Sequence, residues 1–586
     1  MTMIRILADR DADRGRYLGE MLSLWGVNGW MITDDAPASD EGPIVVLVPP
    51  GVVPPRSALQ STTDSGGHLI LVAPEPATCD GLDLDCEATY GDDGDLSFLR
   101  LNVPLLHSYS HHSIPVLGRR APARGAHYQA SDFRRGIPDG ARILACLFDP
   151  DQGLTDRPAI WTVPRGRGSV TVLAYDAVAC YRNLRQGSPA CAGWRPAFDD
   201  ICRPAYLFGP RWRATFQSGH LPLADFHPML LVRLVEQLLD VPMPRFWQLP
   251  GTCRSAILVS GDEDGVGPQC TEEICSFVES LGGKFTSYIL METTSTTPDQ
   301  VRSWIDRGHG FSVHPYPNVP GDFSRIVATN PIEALASCVD QFRRRFELPT
   351  PNVRNHRLYW SGYADIPRRW NELGVAMDVN YISGTLTRSF ESYYSAPAAA
   401  LPIPFADESF RIIDVLQQPV ASNDDADFGP SLPKSKCLSP ESFEAYGEAL
   451  LARTLEPFGL PFAYIFHQGN FATYAGEAER RFLRLAHRRS AALMSDHEWL
   501  EFWQARQRWR IGSMEATDQG WRYRLEGARG AHPVSVSLPV NWRERPLTRV
   551  EVDGASVEPP QIDHFGEQRI LIQLPEGADE VVVDAC

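Results

Sequence analysis

Three carboxylates, Asp262, Glu263 and Asp264, stand side by side after the apolar run Ala256–Val259 and directly before Gly265. Acids packed this densely repel one another unless a cation or a shared proton offsets the charge. The cluster therefore suits a metal site or an acid/base pair, with an acidic surface turn as the alternative. Later short apolar runs also end on side chains able to do chemistry: His314 after FSV, Arg354 and His356 in NVRNH, and His467 after FAYIF. Strands apolar on both faces belong to parallel sheets, and barrels of parallel strands collect their sites at the C-terminal strand ends.

The elements that must position these groups belong to a chain of 586 residues, for which length alone suggests about three or four domains. A formal net charge of −18 argues against a nucleic-acid backbone or an anionic membrane as the main partner. The start, MTMIRILADRDADRGRYLGE, lacks the basic and apolar regions of a secretory signal, and a cytoplasmic protein is expected. Twelve cysteines without a CxxC pair fit reduced thiols, with Cys79 and Cys86 close enough in sequence to pair in a loop.

Residues 1–245 alternate strand patterns (Ile4–Ala8, Ile44–Val48, His68–Val72, Arg142–Phe148, Ser169–Ala174) with helical ones (Gly15–Trp25, Pro228–Leu239), which predicts an open parallel α/β sheet. The stretches GRGSVTVLAYDAV and HPMLLVRLVEQLL resemble the end of a flavodoxin-like domain of the class I glutamine-amidotransferase type. The run HLILVAPEPATC supplies no nucleophile elbow, so this domain is expected to be non-catalytic and to bind a partner, a second copy of the chain or part of the substrate. His107, His111 and His112 lie in a polar loop without a nearby acid and are read as solvated. VPMPRFWQLPG, proline-punctuated, marks the boundary to a second unit over 246–492.

That unit repeats strand and helix: the acid strand, a helix over 270–282, KFTSYILM, a helix capped at Thr297, FSVHPYPN (311–318), a helix Ile332–Phe346, NVRNHRLYW, ELGVAMDVNY (372–381), LPIPF, FRIIDVLQQP and FAYIFHQGNF. In this order the motifs resemble the polysaccharide deacetylase family, which implies a distorted (β/α) barrel and a metal-dependent hydrolase that removes an N-acetyl group from an amino sugar or glycoconjugate. The family pattern implies Asp264 as a metal ligand, Glu263 as base, His314 as the first metal histidine, Arg354 as the residue that orients the base, and His467 as general acid. It also implies a divalent ion, zinc first, with three protein ligands and an open position.

Two positions depart from the pattern. Glu263 stands where an Asp is usual, so the base is shared between Asp262 and Glu263. Asn318 stands where the second histidine is usual, and amides bind zinc poorly. His356 lies two residues after Arg354 and points the same way on a strand, which makes it the preferred third ligand. Asp378, Asn380, Asp414 and Gln417 are further candidates to face the cleft.

Beyond 492 a helix over 496–510 leads into five short period-two strands, predicting a small antiparallel β-sandwich over 493–586. Its Trp521, Tyr523 and Trp542 suit sugar binding or core packing. The substrate class is a small molecule or oligosaccharide. Two other readings stand beside deacetylation: hydrolysis of another C–N bond, of imide or ureide type, and an inactive binding scaffold in which Asn318 records a lost ligand.

Overall fold

The computed structural model describes residues 4–8, 13–34, 44–84, 94–101, 114–119, 138–149, 153–197, 200–208, 222–319, 321–327, 329–382, 399–430, 435–527 and 532–585. Cys86, His107, His111 and His112 lie outside them. Among the described residues no helix is long and apolar enough to cross a membrane.

The N-terminal sheet has nine strands. Five are parallel, Trp30–Thr33, Ile4–Leu7, Val45–Val48, His68–Val72 and Gly168–Leu173 in that spatial order, which is the 2-1-3-4-5 order of flavodoxin-like sheets. The other four, Gly153–Arg165, Arg142–Asp149, Gly94–Leu101 and Ile114–Arg119, extend it in antiparallel fashion. The expectation of a wholly parallel sheet is thus corrected: these four strands pair with their neighbours in antiparallel fashion.

The central unit is built on a ten-stranded sheet that curls into a barrel, and all of its described strands but Ile403–Ala406 pair in parallel. Ala256–Asp262 pairs with Thr286–Ile289, followed by Gly310–Val313, Asn352–Val353 and Met377–Asp378. On its other side Ala256–Asp262 pairs with Pro461–Ile465 and then Ser422–Asn423. A single parallel bridge, Ile382 to Val420, closes the ring. Ile412–Gln417 also pairs in parallel with Met377–Asp378 and carries Ile403–Ala406 antiparallel on its other edge. Several predicted strands are shorter than their apolar patterns. The Pro-Tyr-Pro sequence ends 311–318 at Val313, and Asn318 belongs to a separate small hairpin with Asp322–Ile326. ELGVAMDVNY contributes only Met377–Asp378.

Helices pack outside the barrel as their patterning requires. Pro331–Phe346 buries Leu335, Val339, Phe342 and Phe346, spaced three and four residues apart. Pro298–Ile305 begins with a complete capping box between Thr297 and Gln300. The C-terminal strands form two antiparallel sheets, one of which takes Arg245–Phe246 from the predicted linker as an added strand. Trp521 and Tyr523 are buried, so their use is core packing.

Gly261 controls where the first and last long strands of the barrel meet. A Cβ there would lie 1.5 Å from the Phe466 carbonyl oxygen, and Phe466 N donates to Ser260 O at 2.9 Å. Only glycine lets the chain bearing Asp262 pass this close to the chain bearing His467. Gly261→Ala is therefore expected to lower stability by at least ~3 kcal/mol, the upper end of overpacking costs, because backbone rather than a flexible side chain blocks the methyl. The shift in the urea midpoint measures it.

Candidate active site

The strand Ala256–Asp262 is buried throughout and delivers Asp262 and Asp264 to the mouth of the barrel. Asp264 adopts φ 46°, a left-handed conformation that aspartate tolerates better than most residues, and Gly265 follows with φ 77°. Glu263, between them, leaves the site. Its carboxylate accepts from Gly265 N at 3.3 Å and Thr294 Oγ1 at 3.2 Å, a turn-stabilising role with no contact to the site histidines among the described ion pairs.

Asp262 is 5% exposed and accepts from Arg354 Nη1 at 2.9 Å. Burial alone would raise its carboxyl, but His314, Arg354 and His467 outweigh that and hold it below the usual carboxylate range. Arg354 also donates to Ser260 Oγ at 2.7 Å, lies over the Tyr288 ring at 4.5 Å, and stands 3.7 Å from Asp496, which accepts from Tyr288 OH at 2.7 Å.

His314, His356 and Asp264 converge. His314 Nε2 lies 3.4 Å from Asp264 Oδ1 and 3.6 Å from Asp262 Oδ2, and His356 Nε2 lies 3.9 Å from Asp264 Oδ1. One donor atom from each of Asp264, His314 and His356 falls within a 4.8 Å cluster. A tetrahedral zinc with ligands at ~2.05 Å separates its donors by about 3.3 Å, so a carboxylate and two imidazoles at these spacings fit the ion in both type and size. His314 Nδ1 donates to the Arg354 carbonyl at 2.7 Å, which fixes the tautomer and leaves Nε2 bare toward Asp264. Burial, then His314, pushes the His356 imidazole down to about 3, so it is neutral and able to ligate.

His356 does not lie on a strand. The strand ends at Val353, and His356 sits in a short 3₁₀ turn, His356–Leu358, with its ring edge-on to His314 and Tyr316. Asn318, the other candidate ligand, is carried on the hairpin after the Pro-Tyr-Pro turn, where its Nδ2 donates to Val319 O at 3.2 Å. Its carriage on a hairpin rather than a helix removes the geometry that a four-residue spacing would need.

His467 also reaches these carboxylates, with Nε2 3.7 Å from Asp262 Oδ2, 3.8 Å from Asp264 Oδ2 and 3.8 Å from Asp425 Oδ2. Asp424, fully buried, accepts from His467 Nδ1 and, at 2.7 Å, from its backbone N. Burial would lower the imidazolium, but Asp424 first, then Asp425 and Asp262, hold it well above the usual histidine value. Sequence reading missed Asp424. It lies in SNDDADF, where Asn423 caps a one-turn helix, and only the parallel pairing of Ser422–Asn423 with Pro461–Ile465 brings it to His467.

Asp378 and Asn380 support the site from behind. Asn355 N donates to Asn380 Oδ1 at 2.7 Å, and Asp378 accepts from Trp370 Nε1, Asn380 N and Asn380 Nδ2. Asp414 is exposed, and Gln417 accepts from Arg185 Nε at 3.0 Å, so neither belongs to the site.

No family model and no curated protein matches the chain. Among solved structures, the chain is similar to Agd3, described as a novel carbohydrate deacetylase, at 10% identity over 100% of this chain and 99% of that one, TM-score 0.36. It is similar to Puue allantoinase at 12% identity over 44% of this chain and 93% of that one, TM-score 0.33. It is also similar to a family 4 carbohydrate esterase from Streptomyces lividans in complex with acetate, at 10% identity over 41% and 92%, TM-score 0.25. None of the three supports the glutamine-amidotransferase likeness of the first 245 residues.

Burial raises the Asp378 carboxyl to about 7. An acid whose folded value lies above its unfolded value, ~3.9, binds its proton more tightly when folded, so the folded state loses stability as pH rises between the two values. Asp378→Asn removes that slope. The difference in unfolding free energy, variant minus wild type, is expected to climb between about pH 4 and pH 7 and then level off, as read from urea melts across pH.

Proposed function

We propose that this protein is a metal-dependent amide hydrolase that removes an N-acetyl group from an amino sugar or a glycoconjugate. The observation that carries the reading is the three-donor cluster of Asp264, His314 and His356, beside which stand an arginine-paired Asp262 and, 3.7 Å from it, a His467 held cationic by Asp424. A divalent ion bound by those donors supplies Lewis acidity toward the amide oxygen and acidifies water. Asp262, held ionised by Arg354, is the base that takes the water's proton; its Oδ2 faces the cluster while Oδ1 is held by the guanidinium. Glu263, the alternative base, is engaged by Gly265 and Thr294.

His467 delivers a proton to the departing nitrogen from Nε2. Asp424 holds Nδ1 and so keeps the ring in orientation and charge for that transfer. Asp262 and His467 thus pull apart in protonation within one site, the arrangement expected of a base and an acid working in sequence. The acetamido substrate comes from the motif order in the sequence.

Wild-type protein is expected to hold about one equivalent of zinc or a similar ion by elemental analysis. Asp264→Ala, His314→Ala and His356→Ala should each lose it, and Asn318→Ala should keep it. Acetate release from N-acetylated sugars should fall ~10²–10⁴-fold in Asp262→Asn and in His467→Ala, with Glu263→Gln much less affected. A metal-free wild type would sink the reading; ammonia released from imides or ureides without acetate would move it to the other C–N hydrolases.

A further inference from the structure

The turn that carries His356 is held from two sides, and one of them is the N-terminal unit. Arg357 and Leu358 both take left-handed backbone conformations, φ 54° and 53°. Such a pair of bulky residues persists only where its surroundings over-determine it. On the barrel side, His356 N donates to Pro315 O at 2.9 Å and Asn355 N to Asn380 Oδ1 at 2.7 Å.

On the other side stands the segment Asp200–Phe208, between the helices Ala177–Gln186 and Phe226–Leu238. Arg203, 7% exposed, donates through Nη1 to the Arg357 carbonyl, and Trp360 N donates to Cys202 O at 2.9 Å. The Arg357 carbonyl belongs to a left-handed residue inside a broken turn, so no helical N–H is in line to take it. Asp200 accepts from Arg357 Nη2 at 2.9 Å, while Arg357 Nη1 donates to Tyr316 OH at 3.1 Å, and the Tyr316 ring packs edge-on against His356 at 4.7 Å.

We propose that the N-terminal unit is a working part of the metal site: Arg203, with the Cys202 carbonyl, holds the His356–Leu358 turn in the form that brings the His356 imidazole to Asp264 and His314. This gives a role to a domain without a catalytic elbow and rests on the reading of His356 as a ligand. Arg203 is a positioning residue. It is buried and meets a backbone carbonyl, whereas the Asp200 carboxylate is 59% exposed and its pairing is screened by water. The weight of the contact therefore falls on Arg203.

The test is the affinity of the full-length protein for Zn²⁺, read by chelator competition, with Co²⁺ absorption as a report on the coordination shell. Arg203→Met should weaken binding ~10–100-fold, the range seen when residues that orient metal ligands are removed, and Arg203→Lys should recover part of it. Asp200→Asn should change affinity less than about threefold. Arg182→Met is the control. It removes donors to the Asp407 and Glu408 carbonyls, at 3.2 and 3.0 Å, on the same docking face but away from the turn, and should leave affinity unchanged.

Thermal melts confirm that the variants fold; should Arg203→Met fail to, Arg203→Lys carries the test, with intermediate affinity expected. Wild-type affinity in the Arg203 variants while His356→Ala loses the metal overturns the proposal and spares the ligand reading. Equal loss in Arg182→Met and Arg203→Met overturns it as well. Retention of metal by His356→Ala while Asp264→Ala and His314→Ala lose it overturns the ligand reading itself.

Discussion

Asp262 carries a charge almost out of reach of water, and Arg354 is what makes that tolerable. The guanidinium gives one donor to Asp262 and one to Ser260, spreads over the Tyr288 ring, and has Asp496 behind it. Breaking one partner of such a buried pair costs about 3–5 kcal/mol, since the remaining charge has no other compensation. The same residue's carbonyl holds the tautomer of His314. One side chain and one peptide thus set the ionisation of the proposed base, the ligating face of a histidine, and the seat of the helix Asp496–Arg508.

That helix also ties the three parts of the chain together. Arg506, fully buried, donates to the carbonyls of Ser23, Leu24, Phe246 and Trp247, so the N-terminal helix, the connecting segment and the C-terminal helix share one cation. Four backbone acceptors replace the water that burial removes. A second knot, Arg185 with Asp225, fully buried, reaches the barrel through Gln417 and the Ala400 and Leu401 amides. These interfaces are built on buried, directional hydrogen bonds, which makes docking specific in angle as well as in contact. A segment such as Asp200–Phe208 can hold a turn of another unit only if that angle is set.

Much of the site was legible because strand ends announce themselves. An apolar run that stops at an acid or a histidine marks both the strand and the side chain at its mouth, and the structure brings Asp262, Asp264, His314 and His467, all marked in this way, within 4 Å of one another in pairs. Alternation along a strand does not place His356; a kinked turn supplies its geometry instead. Glu263 matched the motif position of a base, but one residue of register at a left-handed turn sends it to Thr294. Asp424 gave no signal, since an aspartate after Asn423 reads as a helix start.

What the residues determined by themselves was local: where apolar periodicity changes from two to three or four, where prolines and caps stop an element, and which side chains at those stops are able to do chemistry. Those follow from backbone stereochemistry and burial, which act over a few neighbours. Only the tertiary structure decided the pairings over long separations: the bridge from Ile382 to Val420 that closes the barrel, the approach of Phe466 over Gly261, Asp424 behind His467, and Arg203 against Arg357. Each joins segments far apart in the chain through a hydrogen bond or a steric vacancy that no local pattern records. Closure of the barrel, rather than any one motif, turns a line of strand ends into a single site.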